Sequence, residues 1–448
     1  MKNNLLLFTL LLTLPLAAQE HFSGISTSKR VGIINVLNNP SELINLSNNL
    51  EIQLMAVSLN ASSNKIGFSD LVEGNDFEDL IFSGKDPVNF KLNAQIIGPG
   101  AALKVLSWGF AITSKANIQA NIVDVDPNLG RALTTGDIGF LAATNVSSSK
   151  NQRISATTWG EIGFSAARKI YENDQHQFNG GLTLKLLFPG SYANLGAGTF
   201  GGTIYNTLGD LTLNNTHADL NIAYSGSLSN DFTNTSDYTK SLFGNLNGVA
   251  VDFGFDYQLK NDDDSYRLKA GVAFKNMGAM TFKSADNHST DYSLNIPDGL
   301  PTEGLNLNQF DGSESIKDIE SVLINSGYLN INSPKKTDFK VKLPAVFNMY
   351  ADVNIVPKLN ATLYWQQKLN EDNNNMQVTS QNSFSVTPRF TMKTFEAYLP
   401  LSFNEISGTT LGIGFRLGGF FIGSSAIVTA LTSDSNQADV YFGFRFGI

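Results

Sequence analysis

Four histidines, His21, His176, His217 and His288, are the first residues whose chemistry can be weighed. They stand far apart in the chain, so the closely spaced His pairs that build zinc sites are missing. There is no cysteine, which removes thiolate ligands, disulfides and a lipid-modified N-terminal Cys. The stretch Asp124-Val-Asp126-Pro-Asn128-Leu-Gly130 echoes a calcium loop. Its glycine comes one place late, however, and Thr135 stands where the bidentate glutamate belongs, so it reads as a surface turn. A serine hydrolase needs a histidine beside its serine, oriented by a third polar group. His217 is the only histidine near a plausible strand, and no Gly-x-Ser-x-Gly elbow precedes a helix. Gly196-Ala-Gly198 and Gly412-Ile-Gly414 fall in strand or loop contexts, which gives no phosphate cradle. These residues predict no catalytic site, no metal and no cofactor.

What remains is a set of charged residues that alternate with apolar ones: Lys115, Glu161, Lys185, Asp252, Asp256, Lys269, Lys275, Arg389, Arg416 and Arg445. The elements that must carry them are strands. In 249–259 the apolar set is Val249, Val251, Phe253, Phe255, Tyr257 and Leu259, and the interleaved set contains Asp252, Gly254 and Asp256. In 268–275, Leu268, Ala270, Val272 and Phe274 alternate with Lys269, Gly271, Ala273 and Lys275. Phe415 and Arg416 keep the same rhythm in 411–417. At the end Val440, Phe442, Phe444 and Phe446 alternate with Tyr441, Gly443 and Arg445. A helix would scatter such sets around its circumference, whereas a strand puts each on one side of a sheet.

Composition agrees. Of the 448 residues 42% are hydrophobic and 16% charged, against about 25% charged in an ordinary soluble domain. A formal net charge of −9 argues against nucleic acid, which needs a basic stripe. Lys2, the apolar run Leu5 to Leu14, Pro15 and Ala17-Ala18 read as a signal peptide over residues 1–18. That reading predicts export.

Loop lengths then separate a soluble sandwich from a membrane barrel. Short connections at 106–107, 171–176, 260–265, 357–358, 393–394 and 418–419 alternate with long excursions near 61–88, 120–153, 190–247, 284–343 and 370–378. Short turns at one end and long loops at the other are the pattern of outer-membrane barrels. Strands are expected near 50–60, 89–105, 108–119, 154–170, 177–189, 248–259, 266–282, 344–356, 359–369, 378–392, 395–403, 409–417, 420–431 and 438–448. A further strand pair is expected within 190–247. The fold class is therefore all-β: a transmembrane antiparallel β-barrel of about fourteen strands over residues 50–448, closed because a bilayer leaves no backbone polar group a partner outside the protein. The apolar set is expected to face outer-membrane lipid and the charged set the lumen. There the charges either line an open channel or pair and fill a closed interior, and the closed or plugged interior is preferred, as is common at this size. Segment 314–325 has helical spacing at Ile316, Ile319, Val322 and Leu323, which suits either a cap over the barrel mouth or a helix packed locally in its loop. Residues 19–49 lack alternation and carry the turn Asn38-Asn39-Pro40.

That turn, followed by Ser41-Glu42-Leu43 and a first strand, resembles the Asn-Pro-Ala-Gly-Leu region of FadL-type outer-membrane barrels, with Ser41-Glu42 in place of the small pair. Asp252 to Leu259, followed by Arg267 to Gly278, is similar to paired strands of FadL-type proteins and of PorV, the barrel of a Bacteroidota secretion system. The layout over nearly the whole mature chain also resembles an uncharacterised family of Bacteroidota outer-membrane barrels. The FadL resemblance implies a plug at residues 19–49, with Asn38, Asn39 and Pro40 inside the barrel, and passage or binding of small hydrophobic molecules; the alternative for residues 19–49 is a loose periplasmic segment. The PorV resemblance implies instead a structural or accessory barrel partnered by secretion-system proteins.

Overall fold

Alternation in the chain becomes alternation of environment in the structure. Along Val249 to Asp256, Val249, Phe253 and Phe255 are exposed on the outer surface, while Ala250, Asp252, Gly254 and Asp256 are buried inside. This is a computed structural model, and it describes residues 21–74, 80–134, 143–230, 242–261 and 265–448. The signal-peptide reading of residues 1–18 and the middle of the short connection expected at 260–265 lie outside those residues.

Fourteen antiparallel strands form a ring. In chain order they are β1 (Leu50–Ser63), β2 (Val88–Ile97, continued as Gly100–Val105), β3 (Trp108–Val125), β4 (Gln152–Glu172) and β5 (His176–Thr207). Next come β6 (Gly248–Lys260), β7 (Tyr266–Lys283), β8 (Asp338–Lys342 and Val346–Val356), β9 (Leu359–Lys368) and β10 (Ser383–Thr391). The last are β11 (Phe395–Tyr398 and Leu401–Asn404), β12 (Gly408–Leu411 and Ile413–Leu417), β13 (Phe420–Ser424) and β14 (Gln437–Gly447). Each pairs with the next, and β14 closes on β1 from Glu51↔Gly447 to Ser62↔Gln437. Closure removes the free edges that a lone sheet would present. Tight turns such as Leu106-Ser107 and Pro357-Lys358 join neighbours at one end, with Leu106 and Lys358 in the left-handed region at φ 55° and 73°.

The outer surface is an apolar belt. Leu59, Phe110, Phe164, Leu182, Phe253, Phe255, Leu363, Phe415, Ile422 and Phe444 are all exposed, and Phe442 is half-buried among them. Water would penalise such a continuous patch, whereas a hydrocarbon layer solvates it. No helix among the described residues is long and apolar enough to cross a membrane. A Phe415→Arg change places a charge on this face. It is expected to reduce stability in lipid by about 2–4 kcal/mol if the site lies near mid-bilayer. Urea titration of the protein in liposomes measures this, and an unchanged midpoint would refute the assigned phase.

Several elements differ from the sequence reading. The strand expected over 89–105 is interrupted at Gly98-Pro99, where proline has no N–H to give the ladder. The strand expected over 420–431 stops at Ser424, and Ile427–Thr432 is a helix despite its β-branched residues. The cause is local. Ser424 Oγ accepts from the N–H groups of Ala426 and Ile427, and Asp439 accepts from that of Ser425, which bends the chain into a helical turn. Residues 378–382 are not strand either. They turn inward, and the Gln381 carbonyl accepts from Gln366 Nε2 while that of Val378 accepts from Asn370 Nδ2.

β5 runs far past the ring. At about 3.3 Å per residue its 32 residues are about three times as long as a bilayer core is thick. Its upper part pairs with Ala143–Ser148 and with Asp210–Ser225, which in turn pairs with His288–Ile296. These segments build a cap sheet at the long-loop end. The helix Ile316–Asn325 packs on this sheet, with Ile316 and Leu323 in its apolar cluster. Its Glu320 accepts from His288 at 2.6 Å and from the hydroxyls of Tyr224 and Tyr292. Burial would raise the Glu320 pKa, but the bonds from His288 and Tyr292 outweigh it and hold the carboxyl below its ordinary value.

Candidate functional site

A ring of fourteen strands is too wide for its own side chains to fill, since about eight strands is the size that they can. Here residues 21–46 occupy the half nearest the short turns. Phe22 to Ser28, Val31 to Val36 and Asn38 to Leu43 are buried. The helix Ile33–Asn38 and the 3₁₀ turn Pro40–Asn45 are joined at Asn39, whose side chain accepts from the N–H of Ser41. Ile33, Val36, Leu43 and Leu46 pack against inward Ala102, Ala111 and Ala167. Phe22, Ile25 and Ile34 pack against Tyr398, Phe421 and Tyr441.

Small inward residues make room for this segment. A Cβ on Gly181 would lie 2.4 Å from the Pro40 carbonyl carbon, and one on Gly254 would lie 2.2 Å from Asn39 Oδ1. Asn38 Oδ1 accepts from Tyr364 at 3.2 Å, and Asn39 Nδ2 donates to the carbonyls of Phe255 and Val272. The Pro40 carbonyl lies against the inner side of Gly181, and Pro40 has no N–H to satisfy there.

The ten charged positions named above separate into three groups. At the short-turn end Arg389, Arg416 and Arg445 pair with Asp352, Glu396 and Glu51. Arg416 Nε lies 2.7 Å from Glu396, and Arg445 Nη1 lies 2.7 Å from Glu51. These pairs also touch the inner segment: Ser28 Oγ donates to Glu396 at 3.0 Å, and Arg445 donates to the Arg30 carbonyl. The second group meets the segment directly. Lys269 is 2.8 Å from Glu42, both fully buried, and donates to the Thr27 carbonyl at 2.9 Å. Asp256 accepts from Asn45 at 2.8 Å and from Asn179 at 2.9 Å.

The third group surrounds a small chamber on the long-loop side of the inner segment, a cavity of about 90 Å³. Lys115, Lys185 and Lys275 line it with Glu161. Glu161 accepts from Lys115 at 3.1 Å, Asn117 at 3.1 Å and Trp159 at 2.7 Å. Lys185 is 2.7 Å from Asp252 and 2.6 Å from Asn276 Oδ1. A bulge with Asn276 at φ 60° breaks the β6–β7 register, so Lys275 and Asn276 both border the chamber although they are neighbours in the chain.

The acidic partners Glu42, Glu51, Asp352 and Glu396 were absent from the sequence reading. The signal for three of them was available: Glu51, Asp352 and Glu396 each stand in the inward phase of a strand. The histidines stay dispersed, His21 beside Ser58, His176 beside Tyr257, His217 beside Asn295 and His288 in the cap. Asp126 accepts from the N–H groups of Asn128 and Leu129 and starts the helix Pro127–Thr134, while Thr135 lies outside the described residues.

Comparison with solved structures gives low-identity likenesses. A mutant of the TodX monoaromatic hydrocarbon channel is 9% identical, with 96% of this chain and 98% of that one covered, at a TM-score of 0.47. The CymD monoaromatic hydrocarbon channel is 10% identical over 96% and 95%, at 0.40. A Pseudomonas aeruginosa FadL homologue is 9% identical over 94% of each chain, at 0.39. The barrel assignment rests on the strand pairing above and not on these values. No curated protein matches the chain. The family of unknown function DUF5723 matches residues 45–425, which takes in the last residue of the inner segment's 3₁₀ turn and the first thirteen ring strands. The chain belongs to the DUF5723 family.

Proposed function

We propose that the protein is an outer-membrane conduit for small molecules, held shut at its periplasmic, short-turn end by residues 21–46 acting as a plug. The observation that carries this reading is the division of the interior. One half is filled by the chain's own N-terminal segment, and the other keeps a small cavity directly against it. A purely structural barrel has no use for a separate stopper beneath a cavity. Phe22, Ile34, Leu37 and Ile97 give the chamber an apolar side. That side suits the small hydrophobic cargo implied by the FadL resemblance, and amides, three lysines and Glu161 line much of the rest. A second reading, a closed structural or accessory barrel, draws on the ion pairs that tie the plug to the wall.

The chain has no cysteine, so an engineered pair reports cleanly. Asn39→Cys with Gly254→Cys places two sulfurs where Asn39 Cγ already lies 2.9 Å from an ideal Cβ on Gly254. The oxidised protein in planar bilayers is expected to stay silent, and reductant is expected to release discrete openings. Equal activity in both states would remove the plug from the gate. Silence in both states would favour the accessory barrel.

A further inference from the structure

The chamber wall carries more cation than its own carboxylates neutralise. Lys115, Lys185 and Lys275 face Glu161 and Asp252, three ammonium groups against two carboxylates. The partners are also unevenly shared. Lys185 is saturated by Asp252, Asn276 and, at 3.8 Å, Glu161. Lys115 has the single carboxylate Glu161 and two further N–H donors to spare. Lys275 makes no hydrogen bond or ion pair among the described residues, yet its side chain lines the cavity.

An ammonium group inside a barrel wall is costly unless water or an anion satisfies it. The bulge at Asn276 bears on this. It holds the Asp252 carboxylate through the Asn276 N–H at 2.6 Å, and holds the Asn276 side chain against the Pro344 carbonyl and Lys185. Asp252 and Asn276 are thereby committed to Lys185, and Lys275 is left beside them without either. Amide side chains of Asn93, Gln95 and Gln119 line the same space and add donors suited to oxygen atoms.

We propose that this chamber binds a compact oxyanion, a phosphate or short carboxylate group, held by Lys275 and Lys115 with amide donors around it. The proposal deepens the conduit reading by giving its cargo an anionic group, and rests on that reading only for the word cargo. The site itself is a property of the folded wall.

The test uses the full-length protein purified in detergent, titrated calorimetrically with inorganic phosphate and, separately, with succinate, at fixed ionic strength set by chloride. Saturable binding of at least one of the two is expected. Lys275→Gln should weaken it by at least about tenfold, the scale of one lost charge-assisted hydrogen bond, and Lys275→Arg should retain most of it. Heat-modifiable migration on gels verifies that each variant is a folded barrel. Absence of saturable binding to either anion would overturn the proposal, as would equal affinities in wild type and Lys275→Gln. A gate that fails the cysteine-pair test while phosphate or succinate still binds would remove the conduit and leave the site.

Discussion

Deleting residues 21–46 is expected to convert a barrel that is silent in planar bilayers into one with a steady, ohmic conductance. The segment fills the short-turn half of the lumen, packing Ile33, Val36 and Leu43 against inward alanines and hydrogen-bonding Asn39 to the wall. Without it, the inward faces of β3 to β7 present Ala, Gly, Asn, Asp and Lys to an empty bore. Fourteen strands enclose more space than these short side chains fill, so water enters. The ring itself should survive, because its strand pairings are mutual and do not pass through the plug. Newly solvated Lys269 and Asp256 regain water in exchange for Glu42 and Asn45. Heat-modifiable migration identifies the folded fraction, and single-channel recording reads the bore. A folded deletion variant as silent as the parent would show that residues 21–46 do not close the barrel.

The second large effect concerns Lys269. Its ammonium group and the Glu42 carboxylate are both fully buried and 2.8 Å apart. Removing one partner of a buried pair strands the other charge in a medium that solvates it poorly, which typically costs about 3–5 kcal/mol. Lys269→Met keeps the volume and removes the charge. Glu42 would then keep Asn35, Asn45 and Tyr350 as donors, but no cation, with Asp256 nearby on the same Asn45 amide. The urea midpoint should fall accordingly, and trypsin should cut at Lys29 or Arg30 in the otherwise intact barrel. Adding Glu42→Gln should restore much of the loss, because the stranded charge is gone. An unchanged midpoint and an uncut segment in Lys269→Met would mean that this pair does not hold the plug.

Most of the barrel was legible because its signal is local and repeated. Val249 to Phe255 or Val440 to Phe446 needs only its own alternation to define two faces. The strand pair expected beyond residue 190 exists, as the upper part of β5 with Asp210–Ser225. What was not legible depends on side-chain partners that the alternation does not mark. Ile427–Thr432 has the composition of a strand and becomes a helix because Ser424 and Asp439 capture the backbone just before it. The loop 370–382 gives no sign of folding inward, since besides its internal bonds it is held by Gln366 and Arg153 on the wall. For the interior, period two placed Lys269 and Arg445 on the inner face, but Glu42, the counter-ion of Lys269, lies on the inner segment beyond any periodicity, and Glu51 shares the inward phase of β1 with nothing local to say that it meets Arg445. The strained Asn276, which puts Lys275 and Asn276 side by side on the chamber, has no sequence signature short of the register slip itself.

The closure of β14 on β1 also sets an order of assembly. The inner segment immediately precedes β1, and the seam that encloses it is made by the last strand of the ring. A ring already shut would oblige residues 21–46 to thread back through a short-turn mouth crowded by Arg389, Arg416 and their partners. Seating the segment while β1 and β14 are still apart avoids that passage, much as a cork is set before staves are hooped. Arg445 sits where the two events meet, since one guanidinium bonds Glu51 across the seam and the Arg30 carbonyl on the inner segment. Closing the wall and trapping its contents are then a single step in the folding of this chain.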